Sequence, residues 1–197
     1  MAVTEPTGPD GSGGAAPGGR RRLVALILVP VVAAVVLVVD QLAKAAALRD
    51  LPEGSARQVI GDLLVFERLE NSGAAFSIAS GSTWLFSIIA TTVVVLLIWF
   101  SRRIHSVAWG VLFGLLLGGT CGNLVDRLTR PPGFGIGHVI DFIKIPLLPA
   151  VFNLADSAIV ASMCLFVLVT LLGIGVDGRQ HRPNTRHRRE ALPSDRA

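Results

Sequence analysis

The chain has 197 residues, 51% of them hydrophobic and only 16% charged, with a mean hydropathy of +0.61. A soluble domain of this size carries closer to ~25% charged residues, and the apolar residues here fall in long blocks, which excludes a soluble fold and points to an integral membrane protein. The formal charge of +4 and pI near 10.0 point at first to nucleic acid. The basic residues flank apolar runs instead of lining one face, so that class is set aside.

Residues 1–19, rich in Gly, Pro and Ala, cannot build a core and are expected to form a disordered tail. Arg20-Arg21-Arg22 then open the first apolar run, Leu23 to Val39, which with its flanks reaches the ~20 residues a membrane span needs. Arginines before an apolar run also describe a cleaved secretory peptide, whose apolar region is only ~7–15 residues long. This run is longer and continues into the charged helical segment Asp40-Gln41-Leu42-Ala43-Lys44, so a retained anchor is expected. Residues 55–79 lack helical periodicity. Val59-Ile60, Leu63 to Phe66 and Leu69, interrupted by Gly61-Asp62, read as short strands or a hairpin of a small sheet on the membrane surface. The same region ends in the motif Asn71-Ser72-Gly73-Ala74-Ala75-Phe76.

The second run, Trp84 to Phe100, is closed by Arg102-Arg103. The third, Val107 to Val125, carries Gly110, Gly114, Gly118 and Gly122 at a spacing of four, a stripe along which another helix can approach closely. Asp126 continues that stripe and is expected beside the helix that packs on it; a stripe left open has room for an incoming helix or acyl chains. After the turn at Arg130-Pro131-Pro132-Gly133, Phe142-Ile143 and Ile145 to Leu148 read as an interfacial apolar segment. The fourth run covers Ala150 to Val176, and residues 177–197 are expected to form a basic, disordered tail. The expected architecture is therefore an all-α membrane protein: four transmembrane helices in residues 20–176, a small extracytoplasmic β-sheet and an interfacial loop or helix. Eleven of the eighteen Lys and Arg fall on the side of the two tails and the 101–106 loop, which places both termini in the cytoplasm and the polar motifs outside.

Those motifs carry the chemistry. Asp156 lies about six residues into the fourth run, or roughly 9 Å at ~1.5 Å per residue, where a charge costs roughly 2.5–3.5 kcal/mol. No basic residue follows it in that run, and Asp141 is the nearest outward partner. Two carboxyls in contact share a proton, so one can activate water while the other polarises a carbonyl, which is general acid–base hydrolysis of an amide. Asn153, one turn before Asp156, is placed to hold a carboxylate by hydrogen bond. Plainer readings stand beside this one. Asp40 and Lys44 have the spacing of a surface ion pair, Asp126-Arg127 that of a helix end with a snorkelling arginine, and Asn71 with Gly73 that of a turn. A Ser72–Lys44 dyad leaves the acids unexplained, and a His138–Asp156–Ser157 triad has its serine adjacent to its acid. No metal-ligand spacing or phosphate loop is present, and no cofactor is expected. Cys121 and Cys164 both lie in apolar runs.

Five motifs in this order, Asp40-Gln41 with Lys44, Asn71 with Gly73 to Phe76, Gly122-Asn123 with Asp126-Arg127, Asp141-Phe142, and Phe152-Asn153 with Ala155-Asp156, resemble bacterial lipoprotein signal peptidase, signal peptidase II, over roughly residues 23–175. The resemblance implies an aspartic endopeptidase of the bacterial cytoplasmic membrane with Asp141 and Asp156 as its dyad. It implies cleavage on the amino side of a diacylglyceryl-modified cysteine in prolipoproteins, contact with membrane lipids, and inhibition by globomycin. Asp40, Lys44, Asn71, Gly73, Asn123, Asp126, Arg127 and Asn153 are then expected to support substrate, lipid and dyad. A small ion-coupled transporter and a non-enzymatic membrane scaffold are the rival classes.

Overall fold

A computed structural model describes residues 17–73 and 83–178. Four helices in it are long and apolar enough to cross a membrane: α1 (Pro17–Asp50), α2 (Thr83–Ser101), α3 (Val107–Thr129) and α4 (Leu154–Leu171). Three strands, β1 (Ala56–Ile60), β2 (Leu64–Asn71) and β3 (Val139–Lys144), form one antiparallel sheet in the order β1-β2-β3. The four spans and the small sheet expected from the sequence are both present. The residues Ala74, Ala75 and Phe76 of the second motif, and most of both tails, lie outside the described residues.

Helix α3 is the hub, packed by α1, α2 and α4. Lipid is as apolar as the helices, so close backbone approach between small residues decides their association. A Cβ on Gly118 would come within 2.7 Å of the Ala33 carbonyl oxygen on α1, and one on Gly119 within 2.5 Å of the Ala155 carbonyl oxygen on α4. The glycine stripe is thus filled by α1, with Gly122 facing Asp40 and Ala155, and does not hold space for a substrate helix. Ala25, Val29, Ala33, Ile104 and Leu117 form the core on this seam, while residues such as Val35, Ile88, Val95 and Val167 are exposed along the spans. A second core, Ala47, Leu51 and Phe142 with Phe66 at its edge, seats the sheet on the end of α1.

Two expectations are corrected. Phe142 and Ile143 are not in a loop or helix but in β3, which pairs with β2 through Phe66↔Ile143 and Leu69↔Asp141 and so satisfies the backbone that a loop would expose. The fourth helix begins at Leu154, not near Ala150. Asn153 caps it, which puts Asp156 in its first turn and not several residues into the helix.

Candidate active site

The first amides of a helix have no partner within it. At α4 they are met by side chains. Asn153 Oδ1 accepts the Asp156 N–H at 2.9 Å, and Asp156 Oδ2 accepts the Asn153 N–H at 3.2 Å, a reciprocal capping box. Asp40, reaching across from α1, accepts the Ala155 N–H at 2.9 Å. Negative groups at this end are favoured by the helix dipole. The cap therefore holds Asp156 where the polar ends of α1 and α3 meet α4.

Strand β3 brings Asp141 to the same place. Asn153 Nδ2 donates to Asp141 Oδ1 at 2.7 Å, and Asn71 Nδ2 on β2 donates to Asp141 Oδ2 at 2.9 Å. One asparagine thus touches both carboxyls, one through its amide nitrogen and the other through its cap. Among the described residues no hydrogen bond joins the two carboxyls directly. Asn71 is itself held by the Gly73 N–H, which donates to its Oδ1 at 2.8 Å. Gly73 has φ +85°, a left-handed conformation that glycine adopts without strain. Asp141 is 1% exposed, and burial, aided by the nearby charge of Asp156, pushes its carboxyl up to about 6 against the opposing hydrogen bonds of Asn71 and Asn153 and the charge of Lys44.

Beneath the pair lies a cluster of charges with no solvent contact. Lys44 Nζ sits 2.8 Å from Asp40 Oδ2 and 2.7 Å from Asp126 Oδ2, and all three side chains are 0% exposed. This is no surface ion pair. Its third proton goes to Asn123 Oδ1 at 3.0 Å, and Asn123 Nδ2 donates to Asp156 Oδ1 at 2.7 Å. With three donors committed, Lys44 has no free position from which to serve Ser72 as a base. Asp126 also receives Arg130 Nε at 2.6 Å and the Ile140 N–H at 3.4 Å, which ties α3 to β3. Arg127 does not pair with its neighbour Asp126. Its guanidinium lies 5.2 Å over the Phe86 ring, with Nη1 buried and without a hydrogen-bond partner among the described residues.

All ten residues anticipated for the site converge here. The catalytic triad is not assembled, since Ser157 Oγ donates to the Asn153 carbonyl and His138 Nδ1 faces Glu70 Oε2 at 3.9 Å. Three participants were given no site role from the sequence. Gln41 Nε2 donates to Asp40, to the Gly122 carbonyl and to Asp126. Arg130 stands four residues from Asp126, a spacing that was legible. Phe86 has no sequence signal, because its role depends on where α2 meets α3.

The family model for signal peptidase II matches residues 32–172, a stretch that contains every residue of this cluster. The chain belongs to the signal peptidase II family. The lipoprotein signal peptidase of Leifsonia xyli is 59% identical over 145 residues, covering 74% of this chain and 67% of that protein. The lipoprotein signal peptidase of Mycobacterium tuberculosis is 44% identical over 147 residues, with coverages of 74% and 72%. Two solved bacterial membrane enzyme structures share the fold. One, at 1.9 Å resolution, has a TM-score of 0.62 and 28% identity over 78% of this chain and 93% of that one. The other, at 2.3 Å, has a TM-score of 0.62 and 25% identity over 84% and 95%. As a member of the signal peptidase II family with four membrane-crossing helices, the chain is a multi-pass bacterial membrane protease.

Proposed function

We propose that this signal peptidase II is an aspartic endopeptidase that frees the signal peptide from diacylglyceryl-modified prolipoproteins. The bond cut is the one on the amino side of the lipidated cysteine. The observation that carries the reading is Asn153 bonded to both Asp141 and Asp156. A desolvated carboxyl pair with one shared proton can move protons without a covalent intermediate. Asp156 takes a proton from water as the water oxygen attacks the scissile carbonyl carbon, and Asp141 gives its proton to the carbonyl oxygen. The resulting gem-diol collapses: Asp156 returns its proton to the cysteine nitrogen, the C–N bond breaks, and a hydroxyl proton of the diol goes back to Asp141.

Asp40, Lys44, Asn123 and Asp126 act through the pair by holding its geometry, and Asn71, Gly73 and Arg127 line the approach to it. The distribution of arginines supports cytoplasmic termini and an outward-facing site in the cytoplasmic membrane. A signal peptide is itself a membrane helix whose cleavage point reaches that interface, and globomycin is the expected competitor for the same groove. The gathering of the buried acids at one end of the bundle favours hydrolysis over an ion path, which needs polar groups along its length.

The test is cleavage by the purified protein in detergent of a prolipoprotein with and without its diacylglyceryl group. A product beginning at the lipidated cysteine is expected from the modified substrate alone. No cleavage, or a cut at another bond, overturns the reading.

A further inference from the structure

A cavity of about 620 Å³ opens on the face of the sheet turned away from Asp141, within the ~300–1,000 Å³ range of small-molecule pockets. Its floor is apolar. Ala43, Ala46 and Ala47 form one wall along a single face of α1, and Phe142 and Leu154 close it from β3 and α4. The small alanines leave the space that larger side chains would fill. Three polar groups also line it: Asp50, Gln58 and Arg57. Two are already engaged, Asp50 with Arg49 at 2.7 Å and Gln58 with Asp62 at 2.6 Å. The Arg57 side chain is exposed and, among the described residues, makes no hydrogen bond or ion pair, although its charge acts at longer range on Asp50.

The depth of this cavity says what it faces. The membrane-crossing part of α1, Arg22–Asp50, has 29 residues, about 43 Å at ~1.5 Å per residue. That length equals a whole bilayer with its headgroups, whose hydrocarbon core is only ~30 Å. The last two turns of α1, where the alanines lie, therefore pass through a headgroup layer. Val59, Ile60 and Leu63 stand exposed at the turn of the adjoining hairpin, as apolar residues do when a segment rests in that interface. An apolar trough beside an exposed guanidinium, both at headgroup depth, matches one occupant: a glycerophospholipid.

We infer that this trough is a phospholipid site separate from the catalytic groove, with an acyl chain against Ala43, Ala46 and Ala47 and the phosphate at Arg57. It ties the sheet that carries Asp141 to the leaflet at which the site lies.

Native mass spectrometry of the full-length protein, with added phosphatidylglycerol or with diacylglycerol of the same chains, tests this without any peptide substrate. Failure of the peptidase reading would leave the measurement intact. Arg57→Glu, at an exposed position, is expected to lower phosphatidylglycerol retention about fivefold or more, the effect of one lost basic contact. Ala46→Trp, which fills the trough, is expected to remove the adduct, and diacylglycerol is expected to be held more weakly by the wild type. Equal retention by wild type and both variants overturns the site. Equal binding of diacylglycerol and phosphatidylglycerol overturns the role of Arg57. A raised KM for prolipoprotein in Ala46→Trp with unchanged phospholipid retention assigns the trough to the substrate and likewise overturns the inference.

Discussion

Lys44 Nζ donates to Asn123 Oδ1 at 3.0 Å, and that bond decides which way the asparagine amide faces. An ammonium offers donors only, so the carbonyl end of Asn123 must turn toward it and the Nδ2 end toward Asp156. A buried cation thereby presents a hydrogen-bond donor to a carboxylate it does not touch. Asn123→Leu is expected to lower kcat about 10- to 100-fold, as for loss of one buried hydrogen bond to a charged group, with a smaller change in KM. An unchanged kcat would show that Asp156 needs no such donor.

Lys44 also neutralises two carboxylates that have no solvent. Removing one partner of a buried charge cluster costs about 3–5 kcal/mol. Lys44→Met is expected to lower the unfolding temperature sharply in detergent, and Lys44→Met combined with Asp40→Asn to recover part of it. A single variant as stable as wild type contradicts the buried network.

Asp141→Asn and Asp156→Asn keep the shape of each side chain and an oxygen for one of its two hydrogen bonds. Each is expected to abolish cleavage, by at least about 10²–10⁴-fold on the scale of general acid–base catalysis, while a cooperative thermal transition shows that the variant remains folded. Substantial turnover in either folded variant ends the two-carboxyl mechanism.

The carboxyl of Asp141 is raised by burial from the usual 3.8 to about 6. The folded state thus binds its proton more tightly than the unfolded chain, so this group contributes stability that is full below about pH 4 and is lost as pH rises through about 6. The stability of Asp141→Asn relative to wild type is expected to rise between pH 4 and 6, by up to about 3 kcal/mol, and to level off above that window. Unfolding curves in detergent across this range, showing a flat difference or one of opposite slope, would refute the shift. The proposed mechanism uses a proton shared by the pair, so kcat/KM is also expected to fall on the alkaline side of the pair's apparent pKa.

Gly119 lies where a Cβ would come 2.5 Å from the Ala155 carbonyl oxygen. Gly119→Val is expected to force α4 away from α3, at a cost of about 1–3 kcal/mol, and to reduce activity by moving Asp156. Activity and unfolding temperature measured together check it: a variant with both unchanged would mean that α3 and α4 do not need this contact.

Much of this protein is written in short stretches of chain. Apolar runs of spanning length, the short apolar stretches at 59–66, the glycine spacing from Gly110 to Gly122 and the five polar motifs are local patterns, and hydropathy and helical period are local quantities. What they do not contain is how residues distant in the chain meet. Asp40 and the Ala155 amide are 115 positions apart, and Lys44 and Asn123 are 79 apart. Their contact exists because glycines on α3 let the backbones of α1 and α4 come close enough for short side chains to touch. The strand β3 shows the same division. Its apolar character was plain, but its hydrogen-bond partner was not, and it is pairing with β2 that turns Asp141 toward Asn153 while Phe142 faces α1. Residue identities set which chemistry is available; close packing of the helices, with the register of the sheet, sets where it happens.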